Sequence, residues 1–318
     1  MNVRVTAHAR LHFGFLDLTE GAGGRRFGGL GMALESPRLV LRIEKAAGLH
    51  VEGPQASRLE AVAARVHRDL ELKPQARIVV EEAIPEHVGL GSGTQLALAI
   101  ASGIARQRGL DQPLARLCAL TGRAQRSGVG FHLFQHGGFV VEGGHARSGA
   151  AASDVPPLLA RHELPESWRV VVAVPAATRT ISGEREEEAF RRLAPAREPT
   201  ADRIARTVLT RLLPALAERD LAAFGAALAE TQELVGACFA AVQEGLFHPG
   251  GDPLVRRLKE EGAHGVGQSS WGPAVYAFAA DAHEEERIAA LVARADPDAL
   301  VIRTRGCNRG ATLEVSRA

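Results

Sequence analysis

The chain has 318 residues, 46% of them hydrophobic, and a formal net charge of +1. That length suits one large or two ordinary domains with a sizeable core. The near-neutral charge argues against a nucleic-acid partner, since such binding needs a clear basic excess. Cys118, Cys238 and Cys307 lie far apart and form no close metal-ligand pair, so a reduced, cytoplasmic setting is expected. The N-terminus lacks a signal peptide's apolar core, and no apolar run is long enough to span a membrane.

In chain order, Met1–Thr6 reads as a strand. Ala9–Phe15 alternates, with Leu11, Phe13 and Phe15 on one face and Arg10, His12 and Gly14 on the other. Arg25–Gly31 is a glycine segment carrying two cations; it suits closure over an anion or a plain surface hairpin. Leu39–Ile43 predicts a strand, Leu59–Leu70 a helix, and Arg77–Val80 a β-branched strand. Beyond Gly93 the apolar spacing is helical up to Gly109; a short helix over Leu114–Gly122 and a strand at Phe139–Val141 follow. The Ala/Ser/Pro-rich stretch Ser148–Pro157 predicts a boundary between domains at 1–155 and 156–318. The second half reads as a buried strand at Arg169–Val174 and helices near Arg185–Leu193, Asp202–Arg219 and Leu221–Glu244. A strand at Ala274–Phe278, a helix over His283–Ala295, and strands at Leu300–Arg303 and Ala311–Val315 end the chain. Strands and helices mix in both halves, which predicts a two-lobed α+β architecture.

The stretch Gly89-Leu90-Gly91-Ser92-Gly93-Thr94 leaves a strand and opens a helix. Its glycines let backbone approach a ligand, and the free N–H groups of a helix start favour an anion. Ser92 and Thr94 add hydroxyls for a phosphate or its magnesium. No Lys follows, which excludes a P-loop, and Thr94 stands where a dinucleotide fingerprint needs Gly. A second glycine-rich segment, Gly265–Gly272, offers Gln268, Ser269, Ser270 and the aromatic face of Trp271; it reads as another anion loop or a tight strand connection.

Arg10 and His12 are candidates for a phosphate or carboxylate contact. Asp17, Glu81 and Glu82 are candidate magnesium partners, because magnesium takes carboxylates together with phosphate oxygens. Between Arg123 and His136 lies a dense polar-glycine stretch with Arg126, Ser127 and Gly130. Its two His have no third ligand at zinc spacing. Arg303, Arg305, Asn308 and Arg309 either return to the site or solvate a turn.

Gly89–Gly93 after Pro85 resembles the central motif of the GHMP kinase superfamily, and Gly265–Ser270 resembles its C-terminal motif. The resemblance implies a GHMP-kinase-like two-lobed α+β fold with a ribosomal-protein-like N-terminal lobe and a ferredoxin-like C-terminal lobe. Many such kinases carry a Gly-Ser-Gly-hydrophobic-Asp segment whose Asp acts on the alcohol. Here Arg126-Ser127-Gly128-Val129-Gly130 puts glycine at that place. Arg10–Gly14, Gly89–Gln95, Gly128–Gly138, Gly183–Glu186, Gly267–Pro273 and Asn308–Ala311 together resemble the β-ribofuranosylaminobenzene 5′-phosphate synthase family.

That likeness implies a magnesium-dependent reaction of phosphoribosyl pyrophosphate with 4-aminobenzoate, or 4-hydroxybenzoate, releasing carbon dioxide and pyrophosphate in tetrahydromethanopterin biosynthesis, by a homodimer. Donor phosphates are then expected at Gly89, Gly91, Ser92, Gly93, Thr94, Gln95, Gln268, Ser269 and Ser270. Arg10, His12 and Arg126 are the catalytic candidates; Arg26, Gly28, Gly29, Ser127, Gly130 and Trp271 the substrate-binding ones; Asp17 and Ser92 the metal ligands. An ATP-dependent small-molecule kinase and a non-catalytic phospholigand-binding protein are the alternative readings.

Overall fold

The two strand signals at the N-terminus merge into one element. In the computed structural model of the protein, which describes residues 1–18, 24–146, 155–176 and 198–316, β1 (Asn2–Asp17) runs for 16 residues. It pairs antiparallel with β2 (Arg25–Glu44), and the register shifts between His8 and Arg10 and again between His12 and Gly14. Such bulges bend a strand and re-aim its side chains, and they fall where Arg10 and His12 sit. Leu11 and Phe13 are fully buried, as the alternation predicts, but His12 on the opposite face is only 4% exposed. That face is covered by the second lobe.

The first lobe continues with β3 (Leu49–Glu52), α1 (Ala56–Asp69), β4 (Ala76–Glu82), α2 (Ser92–Gln107), α3 (Leu114–Leu120), α4 (Val129–His136), β5 (Phe139–Glu142), β6 (His145–Ala146) and β7 (Leu158–His162). Then come β8 (Arg169–Val174), α5 (Glu198–Thr207), a π turn over Val208–Leu212, α6 (Leu213–Glu218), α7 (Leu221–Gln243) and α8 (Asp252–Glu260). The chain closes with β9 (His264–Gln268), β10 (Val275–Ala279), α9 (Ala282–Ala295), β11 (Leu300–Arg305) and β12 (Thr312–Ser316). The helix expected over Asp202–Arg219 is thus interrupted by a π turn just before Pro214, a residue with no N–H to continue the α ladder.

Two sheets organise these elements. The large one has the order β12-β1-β2-β4-β3, with β5 and β6 on β2 and β7 on β5; the small one has the order β11-β8-β10-β9, all antiparallel. The small sheet has the strand order of a ferredoxin-like lobe. The boundary at 155/156 does not divide the sheets: β7 and β12, both beyond it, pair into the first sheet. A strand after a low-complexity stretch carries no local signal of which sheet it will join. The patch Ser148–Asp154, Gly183–Glu186 and the helix expected at Arg185–Leu193 lie outside the described residues.

One apolar core spans both lobes. Phe13 of β1 packs edge-on against Tyr276 of β10 at 5.2 Å and stacks on Phe139 at 5.9 Å, while Phe224 of α7 meets Phe278 at 5.3 Å. Aromatic pairs in this range add to the burial of their large surfaces. They fix the distance between the lobes and so the shape of the cleft above them.

Candidate active site

The turn into α2 is built on glycine geometry. Gly89 and Gly91 have φ of +89° and +78°, and Gly91 is the N-cap of α2 with no side chain capping it. A Cβ on Gly89 would lie 2.3 Å from the Ser269 carbonyl oxygen, so the position admits no side chain. Thr94 and Gln95 turn their amides back onto the Gly91 carbonyl at 3.1 and 3.2 Å. The amides of Ser92 and Gly93 precede that ladder, as the first N–H groups of any helix do.

These groups open on a cavity of about 510 Å³ between the lobes. Its wall contains Gly89, Gly91, Ser92, Gly93 and Thr94 from the loop, Arg10, His12 and Phe15 from β1, and Ser270, Trp271 and Gly272 from the second lobe. Arg58 of α1, Arg123, Arg126, Ser127 and Gly130 also line it. Four arginines therefore face one space, and among the described residues no carboxylate lines it. Three non-glycine wall residues, His87, Ala124 and Ser270, hold left-handed backbone with φ near +60°. Strain of that kind persists where surrounding structure imposes it, often at functional sites.

Arg10 is anchored as well as exposed to the cavity: its Nη1 donates to the Gly89 carbonyl at 2.5 Å, and its backbone N–H donates to Leu90 O at 3.0 Å. Arg58 is ion-paired with Glu86. Its guanidinium lies 2.7 Å from where a Cβ on Gly93 would be, so the missing side chain leaves the cation against the loop.

The second glycine segment acts differently from the expectation. Ser269 is fully buried, and its Oγ accepts from the His12 amide at 3.1 Å while donating to the Gly89 carbonyl at 2.7 Å. Gln268 accepts from the His248 amide at 2.5 Å and donates to Ser270 O at 2.9 Å, away from the cavity wall. Gln95, 1% exposed, ties α2 to α4 through its side-chain amide and the Gly130 carbonyl at 2.9 Å. Ser269 Oγ, the Gln268 side chain and the Gln95 amide nitrogen are thus bonded to the protein itself. Of this segment, Ser270, Trp271 and Gly272 are the residues that reach the cavity.

His12 is the clearest correction. Its Nδ1 accepts from the Gly14 amide at 3.1 Å, so its proton sits on Nε2, which donates to Ser127 Oγ at 2.9 Å. Burial, with help from the neighbouring Arg10, pushes its pKa down to about 3. A neutral ring with both nitrogens engaged cannot serve as the cation for a carboxylate.

Behind Ser127 stands Glu142, the last residue of β5, fully buried. Its carboxylate accepts from the Ser127 hydroxyl, from the Gly128 amide at 3.1 Å and from the Gly144 amide at 2.6 Å. Burial nevertheless raises its pKa to about 7. A Cβ on Gly29 would lie 2.9 Å from Glu142 Oε1 and 3.1 Å from Ser127 Oγ, so Gly29 makes room for this contact and does not face the cavity.

Other candidates lie elsewhere. The Arg25–Gly31 segment is not a mobile flap but strand, paired with β1, β5 and β6. Within it Gly28 takes a φ of +64° against Glu142 O, and Arg26 covers the Phe27 ring at 4.8 Å. Asp17 faces Phe27 across the far end of β1, two residues past Phe15, and is not in the cavity wall. Glu81 and Glu82 pair with Arg4 and Arg38. His132 bonds to Pro156 O at 2.8 Å, and among the described residues no three His, Cys, Asp or Glu cluster for a metal. Arg303 pairs with Glu285, Arg305 with Glu35, and Asn308 with the Leu164 backbone. Sequence reasoning passed over Arg58, His87 and Glu142. Arg58 lies in another helix and has no local signal. A glutamate closing a wholly apolar strand before Gly143-Gly144 is a signal that could have been read.

Residues 57–138 match the GHMP kinases N-terminal domain, and residues 212–297 match the GHMP kinases C-terminal domain. A β-ribofuranosylphenol 5′-phosphate synthase from Methanothermobacter thermautotrophicus is 33% identical over 327 residues, spanning 97% of this chain and 98% of that protein. The Archaeoglobus fulgidus protein of the same name is 32% identical, spanning 98% of this chain and all of that one. Among solved structures, the Streptococcus pneumoniae phosphomevalonate kinase superposes with a TM-score of 0.67 at 13% identity, over 96% of this chain and 100% of that one. The Staphylococcus aureus mevalonate diphosphate decarboxylase does so with 0.66 at 14%, over 99% and 98%. At such identities these two show the fold.

Proposed function

Because the chain belongs to the GHMP kinase superfamily, and within it to the β-ribofuranosylphenol 5′-phosphate synthases, we propose that its cavity joins phosphoribosyl pyrophosphate to a para-substituted benzoate with loss of carbon dioxide and pyrophosphate. The observation that carries this reading is the composition of the wall: a helix start and four arginines suited to anions. The donor brings a pyrophosphate and a 5′-phosphate, and the acceptor brings a carboxylate. The relatives' names carry the phenol, which favours 4-hydroxybenzoate over 4-aminobenzoate as acceptor.

The bond from ribosyl C1 to the pyrophosphate oxygen breaks, and both electrons leave with pyrophosphate. The first-turn amides of α2, with Ser92 and Thr94, are placed to hold that developing charge. The ring carbon bearing the carboxylate attacks C1. The bond to the carboxylate then breaks, its electron pair returns to the ring, and carbon dioxide departs. No proton is gained or lost, so the absence of a base at Gly130 is no obstacle. A kinase transferring phosphate to an alcohol would miss one there.

Magnesium usually takes one or two carboxylates besides phosphate oxygens, and this wall offers hydroxyls instead. The described residues of the wall do not fit a protein-held magnesium, and Asp17 is not among them. A magnesium ion would instead arrive with the donor's pyrophosphate and supply charge neutralisation there, with Ser92 as the hydroxyl available to it. Phe15 and Trp271 are the aromatic surfaces in the wall, suited to stack on the acceptor ring. No described helix is long and apolar enough to cross a membrane, and the three cysteines are free thiols, which supports a cytoplasmic enzyme.

The test is direct. The protein is incubated with phosphoribosyl pyrophosphate and carboxyl-labelled 4-hydroxybenzoate or 4-aminobenzoate, and labelled carbon dioxide and pyrophosphate are followed. ATP consumption with an alcohol, and no release of label, would replace this reading by the kinase.

A further inference from the structure

A second, smaller cavity of about 30 Å³ lies beside the arginine-lined one and shares His12, Phe15, Ser270 and Trp271 with its wall. Beyond these it is closed by Phe239 and Gln243 of α7 and by Leu246 and Phe247 of the loop that follows. A Cβ on Gly236 would lie 2.3 Å from the Leu246 carbonyl oxygen, so this glycine lets the loop settle onto the helix and shut the pocket. Trp271 meets Phe239 edge-on at 4.6 Å, and Phe15 lies 6.2 Å from the same ring. Phe15 and Trp271 therefore stand where the two cavities adjoin. The space is enough for one or two water-sized groups.

The pocket is neutral. Among the described residues its polar side chains besides His12 and Ser270 are the amides of Gln232, Gln243 and Gln268. Gln243, 7% exposed, donates through Nε2 to Leu246 O at 2.7 Å, which settles the orientation of its amide. Its Oε1 receives Gln268 Nε2 at 3.4 Å, longer than an ordinary hydrogen bond. That oxygen can accept a shorter bond from a ligand. A phosphate or carboxylate finds no cation in this wall, while a small neutral donor finds an acceptor.

Resting on the reading above, we propose that this side pocket takes the para substituent of the benzoate, with Gln243 Oε1 accepting its hydrogen and setting acceptor specificity. The orientation follows from the chemistry. The ring carbon that bears the carboxylate must meet ribosyl C1 in the large cavity, so the para substituent points to the opposite end. That substituent is small, neutral and a donor, as the pocket requires. Phe15 and Trp271, common to both walls, then flank the ring between its two ends. The substituent also drives the reaction, because its lone pair feeds the carbon para to it, which is the carbon that attacks. Once the bond to C1 forms, the ring is positively charged and the para heteroatom shares that charge until carbon dioxide leaves. Its hydrogen stays in place and becomes a stronger donor, so the bond to Gln243 tightens as the charge develops.

The test titrates benzoate, 4-hydroxybenzoate and 4-propoxybenzoate by calorimetry into wild type, Gln243→Ala and Leu246→Ala, with pyrophosphate and magnesium present. Wild type is expected to bind 4-hydroxybenzoate roughly fivefold more tightly than benzoate, the worth of one hydrogen bond. It should not bind 4-propoxybenzoate, whose chain overfills the pocket. In Gln243→Ala the preference for the hydroxyl disappears and 4-propoxybenzoate binds. Leu246 is 45% exposed and can be shortened without cutting into the core; Leu246→Ala should admit 4-propoxybenzoate and keep the preference for the hydroxyl. A gained ligand is not the mark of a damaged fold. Binding of 4-propoxybenzoate to wild type, or its exclusion by both variants, overturns the proposal. If Gln243→Ala does not fold, Leu246→Ala decides it alone. The reaction is judged separately. The expected binding pattern with no carbon dioxide released from the benzoate would sink the proposed reaction and leave the pocket assigned. Normal carbon dioxide release with 4-propoxybenzoate still excluded from the variants would sink the pocket and leave the reaction.

Discussion

Ser269 Oγ donates to the Gly89 carbonyl at 2.7 Å, joining residues 180 apart in sequence. The same oxygen receives the His12 amide, and Gly272 lies so close to Gly89 that a Cβ on it would sit 2.3 Å from the Gly89 nitrogen. One hydroxyl thus clasps β1, the glycine loop before α2 and the second lobe. The lobes are held in register at the point where the donor is expected to bind.

Replacing Ser269 by Ala leaves a buried carbonyl and a buried amide without their partner. Unsatisfied groups of this kind cost about 1–3 kcal/mol each. The variant is expected to unfold at lower denaturant concentration than wild type and to show a raised donor KM. Equal midpoints and equal KM would remove the clasp from the account.

Gly89→Ala adds a side chain where φ is +89° and the Ser269 carbonyl is already in the way. Strain at such a position costs on the order of 1–3 kcal/mol before the clash is counted. Loss of pyrophosphate affinity by calorimetry is expected together with a lower melting temperature. A stable Gly89→Ala that binds pyrophosphate normally contradicts the loop geometry.

Arg123→Met removes one of the four cavity cations. Charge-assisted bonds are worth about 1.5–3 kcal/mol, so donor KM should rise roughly tenfold or more, with pyrophosphate inhibition weakened in parallel. Unchanged values for both would place the donor elsewhere.

Two buried groups give opposite pH dependences of stability. Folding depresses His12 to about 3, so the unfolded chain binds the extra proton and stability is lost as pH falls from about 6.5 toward 3. Folding raises Glu142 to about 7 from its usual 4.5, so the native state binds the extra proton. Stability then falls as pH rises from about 4.5 through 7 and is level above. In Glu142→Gln this second slope is absent. Relative to wild type, the variant should gain roughly 3 kcal/mol between pH 4 and pH 8, measured by urea unfolding at both values. A pH-independent difference would show that Glu142 titrates normally.

Much of this site could be read from the sequence, for a physical reason. The glycine loop before α2 depends on residues close together in the chain: a strand, glycines at positive φ and a helix start. Periodicity and composition expose all three. The same locality made β4, α1, α7 and α9 legible. What could not be read depends on partners far apart. Ser269 looked like a phosphate ligand because hydroxyls in glycine loops often are; its actual partners, His12 and Gly89, are fixed by lobe packing. His12 looked like a contact for a phosphate or carboxylate, but burial keeps it neutral and both ring nitrogens are bonded to the protein. Arg25–Gly31 looked mobile because it is rich in glycine, yet those glycines let β2 accept close neighbours such as Leu11, Glu142 and Val129. β12 joins the first sheet across nearly the whole length of the chain, and no local pattern announces it.

The central claim is that this kinase-like fold holds a departing pyrophosphate while a benzoate loses its carboxylate. It is tested most directly by supplying phosphoribosyl pyrophosphate and carboxyl-labelled 4-hydroxybenzoate to the purified wild type. Labelled carbon dioxide and pyrophosphate are measured in the same reaction, with no ATP present. Release of the two in equal amounts is expected. Pyrophosphate released without labelled carbon dioxide, or no release of either, would contradict it.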